Sequence, residues 1–117
     1  MNQVNEKIQI EEIVNKSRQL DPKELMVLLK QDISVFWSWG VSKLIVNSHQ
    51  NCRMLRMTVS GHHHKGWVFI FLNGMDLFDV YLTSNRGTIK KIMTELYFDQ
   101  LVEQIDIAVE RISEYQS

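Results

Sequence analysis

The sequence is poor in the residues that usually announce chemistry or break a chain into parts. Cys52 is its only cysteine, so no internal disulfide can form, which fits a reducing compartment. With one proline and five glycines, no Pro/Gly/Ser-rich linker divides the chain, and no segment repeats at a fixed period. The formal charge is only −1, from 13 basic and 14 acidic residues, so no global field draws the chain toward nucleic acid or anionic lipid. No apolar run approaches the roughly 20 residues that span a bilayer. The opening MNQVNEKIQIEE lacks the basic start and apolar stretch of a signal peptide, so a cytoplasmic location without membrane contact is expected.

What is present suffices for a core. The 117 residues are 44% hydrophobic, which predicts a single α+β domain over 1–117. Its parts are a helical region over 4–39, an antiparallel meander over about 52–93 and a C-terminal helix over about 95–115. In the helical region Ile10, Ile13, Val14, Ser17 and Leu20 recur at helical spacing. The run LDPKEL then opens a second helix. Asp21 caps it, Pro22 suits the first helical position, and Leu20 and Leu25 can clamp across the start. This helix buries Leu25, Leu28, Leu29, Ile33 and Phe36 and stops near Trp39, because Gly40 readily turns left-handed.

From Cys52 the apolar period shortens to two. Residues 53–60, 67–72 and 77–83 read as three strands, with a fourth over 88–93 where Lys90 and Lys91 suit an edge. Loops at 61–65 and 73–76 would set Leu55, Met57 and Val59 opposite Phe71, Phe69 and Trp67. Those in turn would face Phe78, Val80 and Leu82, giving a wholly apolar face. The other face would carry Arg56, Thr58, Val68, Ile70, Asp79 and Tyr81. The C-terminal helix, with its stripe of Phe98, Leu101, Ile105, Ala108, Ile112 and Tyr115, is expected to pack on the apolar face; a coiled-coil seam is the alternative use of that stripe.

Chemistry is sparse. His62, His63 and His64, in SGHHHKG, are imidazoles of the kind that hold zinc, copper or nickel. Adjacent histidines in a turn splay apart, and His49 and Cys52 lie at the far end of the strand, so an exposed hairpin tip is favoured over a metal site using His62 and His64. A partly protonated cluster aided by Lys65 could instead contact an anion as pH falls. The serines occupy no nucleophile elbow, Asp76 and Asp79 read as turn and strand residues, and the glycines fall at hairpins. No catalytic residue and no cofactor is assigned, so a non-enzyme is expected.

Two surfaces remain. Arg56, Tyr81, Lys90 and Lys91 could bind single-stranded nucleic acid across the sheet. Trp37 and Trp39 read first as core residues at a helix end; if exposed, they could contact a protein partner or a second copy.

The run LNGMDLFDV, residues 72–80, resembles the L-N-G-x-D-L-[Tyr/Phe]-D segment of small uncharacterised bacterial proteins often linked to phages and other mobile elements. Gly40, the meander and LYFDQLVEQI, at 96–105, follow the same order, so the resemblance extends from about Ser38 to Ile112. It implies a fold and a genomic setting, not a reaction. Three functions are therefore expected in turn: an interaction or accessory domain associated with a mobile element, a single-strand binder, and a metal protein.

Overall fold

A computed structural model describes residues 6–111. Three short helices, α1 (Ile10–Lys16), α2 (Pro22–Leu29) and α3 (Ile33–Ser38), precede five strands and a last helix. The strands are β1 (Lys43–Val46), β2 (Leu55–Ser60), β3 (Lys65–Leu72), β4 (Phe78–Thr83) and β5 (Ile89–Leu96), and the helix is α4 (Phe98–Val109). The sheet is an antiparallel meander in the order β1-β2-β3-β4-β5. Among the described residues no helix is long and apolar enough to cross a membrane.

The α+β class and the helix-covered sheet agree with expectation; the strand count is five rather than three or four. The meander starts at Lys43, well before residue 52, because the four-residue β1 pairs along β2 from Lys43↔Thr58 to Val46↔Leu55. Four residues are too few to display a period. The second predicted helix is in fact two. Asp21 caps α2 by accepting from the Lys23 N–H at 2.9 Å. Asp32 then caps α3, accepting from Ser34 and Val35 at 3.2 and 3.3 Å, so a fresh start follows within three residues of the end of α2. Gly40 does turn left-handed, with φ +66°, and a Cβ there would lie 2.7 Å from the Ser60 carbonyl oxygen.

The strand β5 runs to Leu96, displacing the start of the last helix from 95 to 98. Glu95 takes a left-handed φ of 58°, and its N–H is held by Asp79 Oδ1 at 2.9 Å. A residue pinned in that conformation cannot begin a helix. The start of α4 is secured instead by Gln100, whose Oε1 accepts from the Tyr97 N–H at 2.9 Å. Ile112 and Tyr115 of the predicted stripe, like residues 4 and 5 of the helical region, lie outside the described residues.

The largest correction concerns β3. Leu55 pairs with Ile70 and Met57 with Val68, and these pair onward with Val80 and Leu82. The predicted register had placed Phe71 and Phe69 in those positions. The first loop is one residue shorter than expected, with Ser60 opposite Lys65, and the second one residue longer, with Leu72 opposite Phe78. The two offsets cancel, so β2 and β4 keep their predicted faces and only β3 is turned over.

Both faces are buried, which removes the penalty the slip was expected to carry. On the first, Leu55, Met57, Val68, Ile70, Val80 and Leu82 meet Leu25 and Leu29 of α2, Phe36 of α3 and Leu101, Ile105 and Val109 of α4. On the second, Met54, Phe69 and Phe71 are buried under the N-terminal segment by Ile8, with Ile10, Ile13, Val14, Trp67, Tyr81 and Ile89 packed around them. Removing an aromatic or aliphatic side chain from water stabilises by roughly 1.5–3 kcal/mol, so two such layers suffice for a chain this short.

Candidate functional site

The histidine triplet exposes His62 and His63 and buries His64. It is folded onto the C-terminus of α4, where carbonyl groups lack helical partners. The His63 N–H donates to the Val109 carbonyl at 2.8 Å, and the His62 N–H donates to Glu110 Oε1 at 2.7 Å. The His63 Nε2 also bonds to the Arg111 carbonyl oxygen. Gly61 makes the approach possible: a Cβ there would sit 2.4 Å from the Val109 oxygen. The loop is thus a clasp on the helix end.

His64 turns inward and is buried. Its Nε2 lies 3.2 Å from the Trp67 carbonyl oxygen; a carbonyl only accepts, so that nitrogen carries the proton. Burial pushes the His64 imidazole below its ordinary 6.5, outweighing the hydrogen bonds to the Trp67 and Thr83 carbonyls, and the nearby Lys90 charge lowers it further. The His62 and His63 rings stand edge to face at 5.0 Å. Of the two predicted ligands, His62 is exposed while His64 is buried and committed to Trp67. Among the described residues no three His, Cys, Asp or Glu side chains converge as a metal would require.

The four residues proposed for nucleic acid separate. Arg56 and Tyr81 do share the second face, each paired with Phe69. Tyr81, however, packs edge-on against Phe71 at 5.6 Å within the layer under the N-terminal segment. Burial, with the neighbouring Asp79 charge, raises its phenol above the usual 10. Lys91 pairs with Leu82 on the helix-covered face, near the opposite edge of the sheet, and Lys90 lies in a register shift beside it.

Arg56 is the member in a distinctive setting. Its guanidinium carbon lies 4.2 Å from the centre of the Trp67 ring, a stacked cation–π arrangement, and its buried Nε has no hydrogen-bond partner. The pairing register brings Lys43 and Trp67 to either side of Thr58 on this face, and sets Lys65 opposite Ser60. Sequence reasoning missed this grouping. A signal for it existed: none of the 14 acidic residues lies between Asp32 and Asp76, and that interval supplies β1, β2 and β3.

The two tryptophans also part company. Trp39 is fully buried, and its indole N–H donates to Asp106 Oδ1 at 2.9 Å; it is a core residue with no surface to offer. Trp37 is 56% exposed and Leu44, on β1, is 43% exposed. Both border a cleft of about 220 Å³ with Lys30, Phe36, Val41 and Lys43. The outer side of β1 is an edge of the sheet. A larger groove, about 480 Å³, lies where α2 meets the start of α4, lined by Leu25, Leu28, Leu72, Phe78 and Phe98 with Asp21 and Glu24 on its rim.

The resemblance motif has a local role. Asn73 Oδ1 accepts from the Met75 and Leu77 N–H groups at 2.8 and 3.2 Å, and Asn73 Nδ2 donates to Asp79 Oδ1 at 3.0 Å. Asp76 takes a left-handed φ of 64° and pairs with Arg18 at 3.1 Å. These bonds set the wide β3–β4 turn and leave neither aspartate aimed at a cavity floor.

In comparison with known proteins, the chain matches no family, no curated protein and no solved structure.

Proposed function

We propose that this chain is a non-enzymatic interaction domain that binds another protein chain along its open β1 edge, in the phage or mobile-element setting that the Leu72–Val80 resemblance implies. One observation carries the reading: Trp37 and Leu44 are exposed and line one cleft beside β1, which among the described residues is an edge strand. An edge offers a row of free backbone donors and acceptors, and apolar side chains beside it supply the area that holds an added strand.

A second copy of the chain satisfies this edge. An antiparallel pairing about a two-fold axis through Leu44 sets Leu44 against its own copy and Lys43 against Ile45, so no lysine opposes a lysine. Sedimentation velocity from micromolar to near-millimolar concentration tests it. Reversible dimer formation is expected for the natural chain, weakened by Trp37→Ser and lost in Leu44→Lys. A strict monomer throughout that range, or a dimer indifferent to both substitutions, would overturn the reading.

A further inference from the structure

We infer that the β1–β3 half of the second sheet face, centred on the Arg56–Trp67 stack, is a binding site for single-stranded nucleic acid. This surface adjoins the docking edge and shares Lys43 with its cleft, but β1 turns Leu44 toward the helix-covered face, whereas Lys43 lies on the opposite one with Thr58.

Charge is the first ground. The near-neutral total hides a strong segregation, because the interval 33–75 contains Lys43, Arg53, Arg56 and Lys65, all four histidines and no acidic residue. The meander folds that interval into adjacent strands, so the positive charge is gathered rather than diluted. The ion pairs among the described residues engage Arg18 and Arg111, and none engages Lys43, Arg53, Arg56 or Lys65. A surface of cations without carboxylate partners is the complement of a phosphate backbone.

Geometry is the second. Among the described residues the N-terminal segment covers Phe69, Phe71 and Tyr81, while Lys43 and Lys65 are exposed and Arg56, Thr58 and Trp67 half-buried on the same face. The Arg56 guanidinium carbon lies over the indole, and among the described residues its buried Nε has no partner, nor has that of Arg53. A guanidinium held flat by an aromatic ring is a platform on which an unstacked base can lie, while the flanking lysines and hydroxyls meet phosphate and sugar. A duplex, whose bases are already stacked, cannot use that platform. Tyr81 and Lys91 take no part.

Fluorescence anisotropy of a labelled mixed-sequence DNA or RNA oligonucleotide, titrated with the full chain at low ionic strength, tests the inference. Three cations at roughly −0.7 each predict a log–log salt slope of about −2 for single strands. Binding is expected to weaken and the slope to flatten in Lys43→Gln/Lys65→Gln, by about 0.7 for each lysine lost. Arg56→Lys keeps the charge and removes the planar stack, so affinity is expected to fall several-fold with the slope unchanged. Lys91→Gln is expected to bind like the natural chain. Binding should also quench tryptophan emission, and Trp37→Phe should retain the quench. Circular dichroism of each variant separates lost binding from lost fold.

Four outcomes would overturn the site: no binding at low salt, binding unaffected by the lysine pair, equal or tighter binding to the matched duplex, and equal or tighter binding to phosphatidylserine vesicles. The last would make this a membrane-facing surface instead.

Discussion

Asp106 and Trp39 offer the sharpest test of the packing between α3 and α4. Asp106 is 8% exposed and Trp39 is fully buried, so the 2.9 Å bond between the indole N–H and Oδ1 is out of reach of water. The second carboxylate oxygen receives Arg111 Nε at 3.2 Å, from a side chain 45% exposed. In Asp106→Ala the indole N–H is left buried without an acceptor, which costs about 1–3 kcal/mol. The partly solvated Arg111 pair adds about 0–1 kcal/mol. A total loss of about 2–3 kcal/mol is expected. Asp106→Asn keeps an acceptor for the indole and gives up the charge, so its expected loss is about 1 kcal/mol.

Trp39→Phe removes the donor from the other side and closes a double-mutant cycle. The coupling energy with Asp106→Ala should be about 1.5–3 kcal/mol, the range for a hydrogen bond to a charged group. Urea unfolding followed by far-ultraviolet circular dichroism measures all four corners without relying on the tryptophan being changed. A coupling below about 0.5 kcal/mol, or equal losses in Asp106→Ala and Asp106→Asn, would show that the bond does not hold the helices together.

Other expectations follow from single contacts. Gly61→Ala should destabilise by about 1–3 kcal/mol, because the new methyl meets the Val109 carbonyl, whereas Gly74→Ala, with nothing within 4 Å, should stay within about 0.5 kcal/mol of the natural chain in the same urea assay. His64 resists a proton that the unfolded chain accepts near 6.5. Its contribution to stability is therefore complete above that pH and is lost as pH falls below it toward the lower folded value. Comparing urea midpoints of the natural chain and His64→Gln across that window should show a shallower fall in the variant; parallel curves would refute the assignment. Asp79→Ala removes the acceptor of the exposed Glu95 N–H and of the part-buried Asn73 amide, and the expected loss of about 0.5–1.5 kcal/mol is read from the same titration.

How far the fold was legible depends on whether its determinants are local. The start of α2 was readable because Asp21 and Pro22 act within one turn, and Leu20 and Leu25 are both buried as their spacing implied. The end of α3 was readable from Gly40. The register of β3 was not, since WVFIFL is apolar at every position and alternation cannot say which set faces the helices. The wide β3–β4 turn decides the matter through Asn73, a contact pattern that hydrophobicity does not encode. Short β1 and the late start of α4 were hidden for a similar reason, the first by its length and the second by the grip of Asp79 on Glu95.

The candidate surface was partly legible. Arg56 was identified, but Tyr81 was drawn into the wrong group because nothing in the sequence shows that the N-terminal segment covers its part of the shared face. Trp39 is the core residue that its place at a helix end suggested, but nothing local links it to Asp106, 67 positions along the chain. The gathering of Arg53, Arg56 and Lys65 in the sheet region was legible, but the acid-free run that also holds Lys43 was not drawn out, and only the sheet order shows that it becomes one surface.

The doubly apolar β3 has a kinetic consequence. Before the N-terminal segment docks, the ribbon can pair with its neighbours in either of two alignments, each of which shows a greasy side to the final helix. Polarity does not choose between them; the shape of the turns and the arrival of Ile8 and Ile13 do. The chain should accordingly visit a mispaired hairpin on its way to the native state, and shortening the Asn73–Leu77 turn should trap it there.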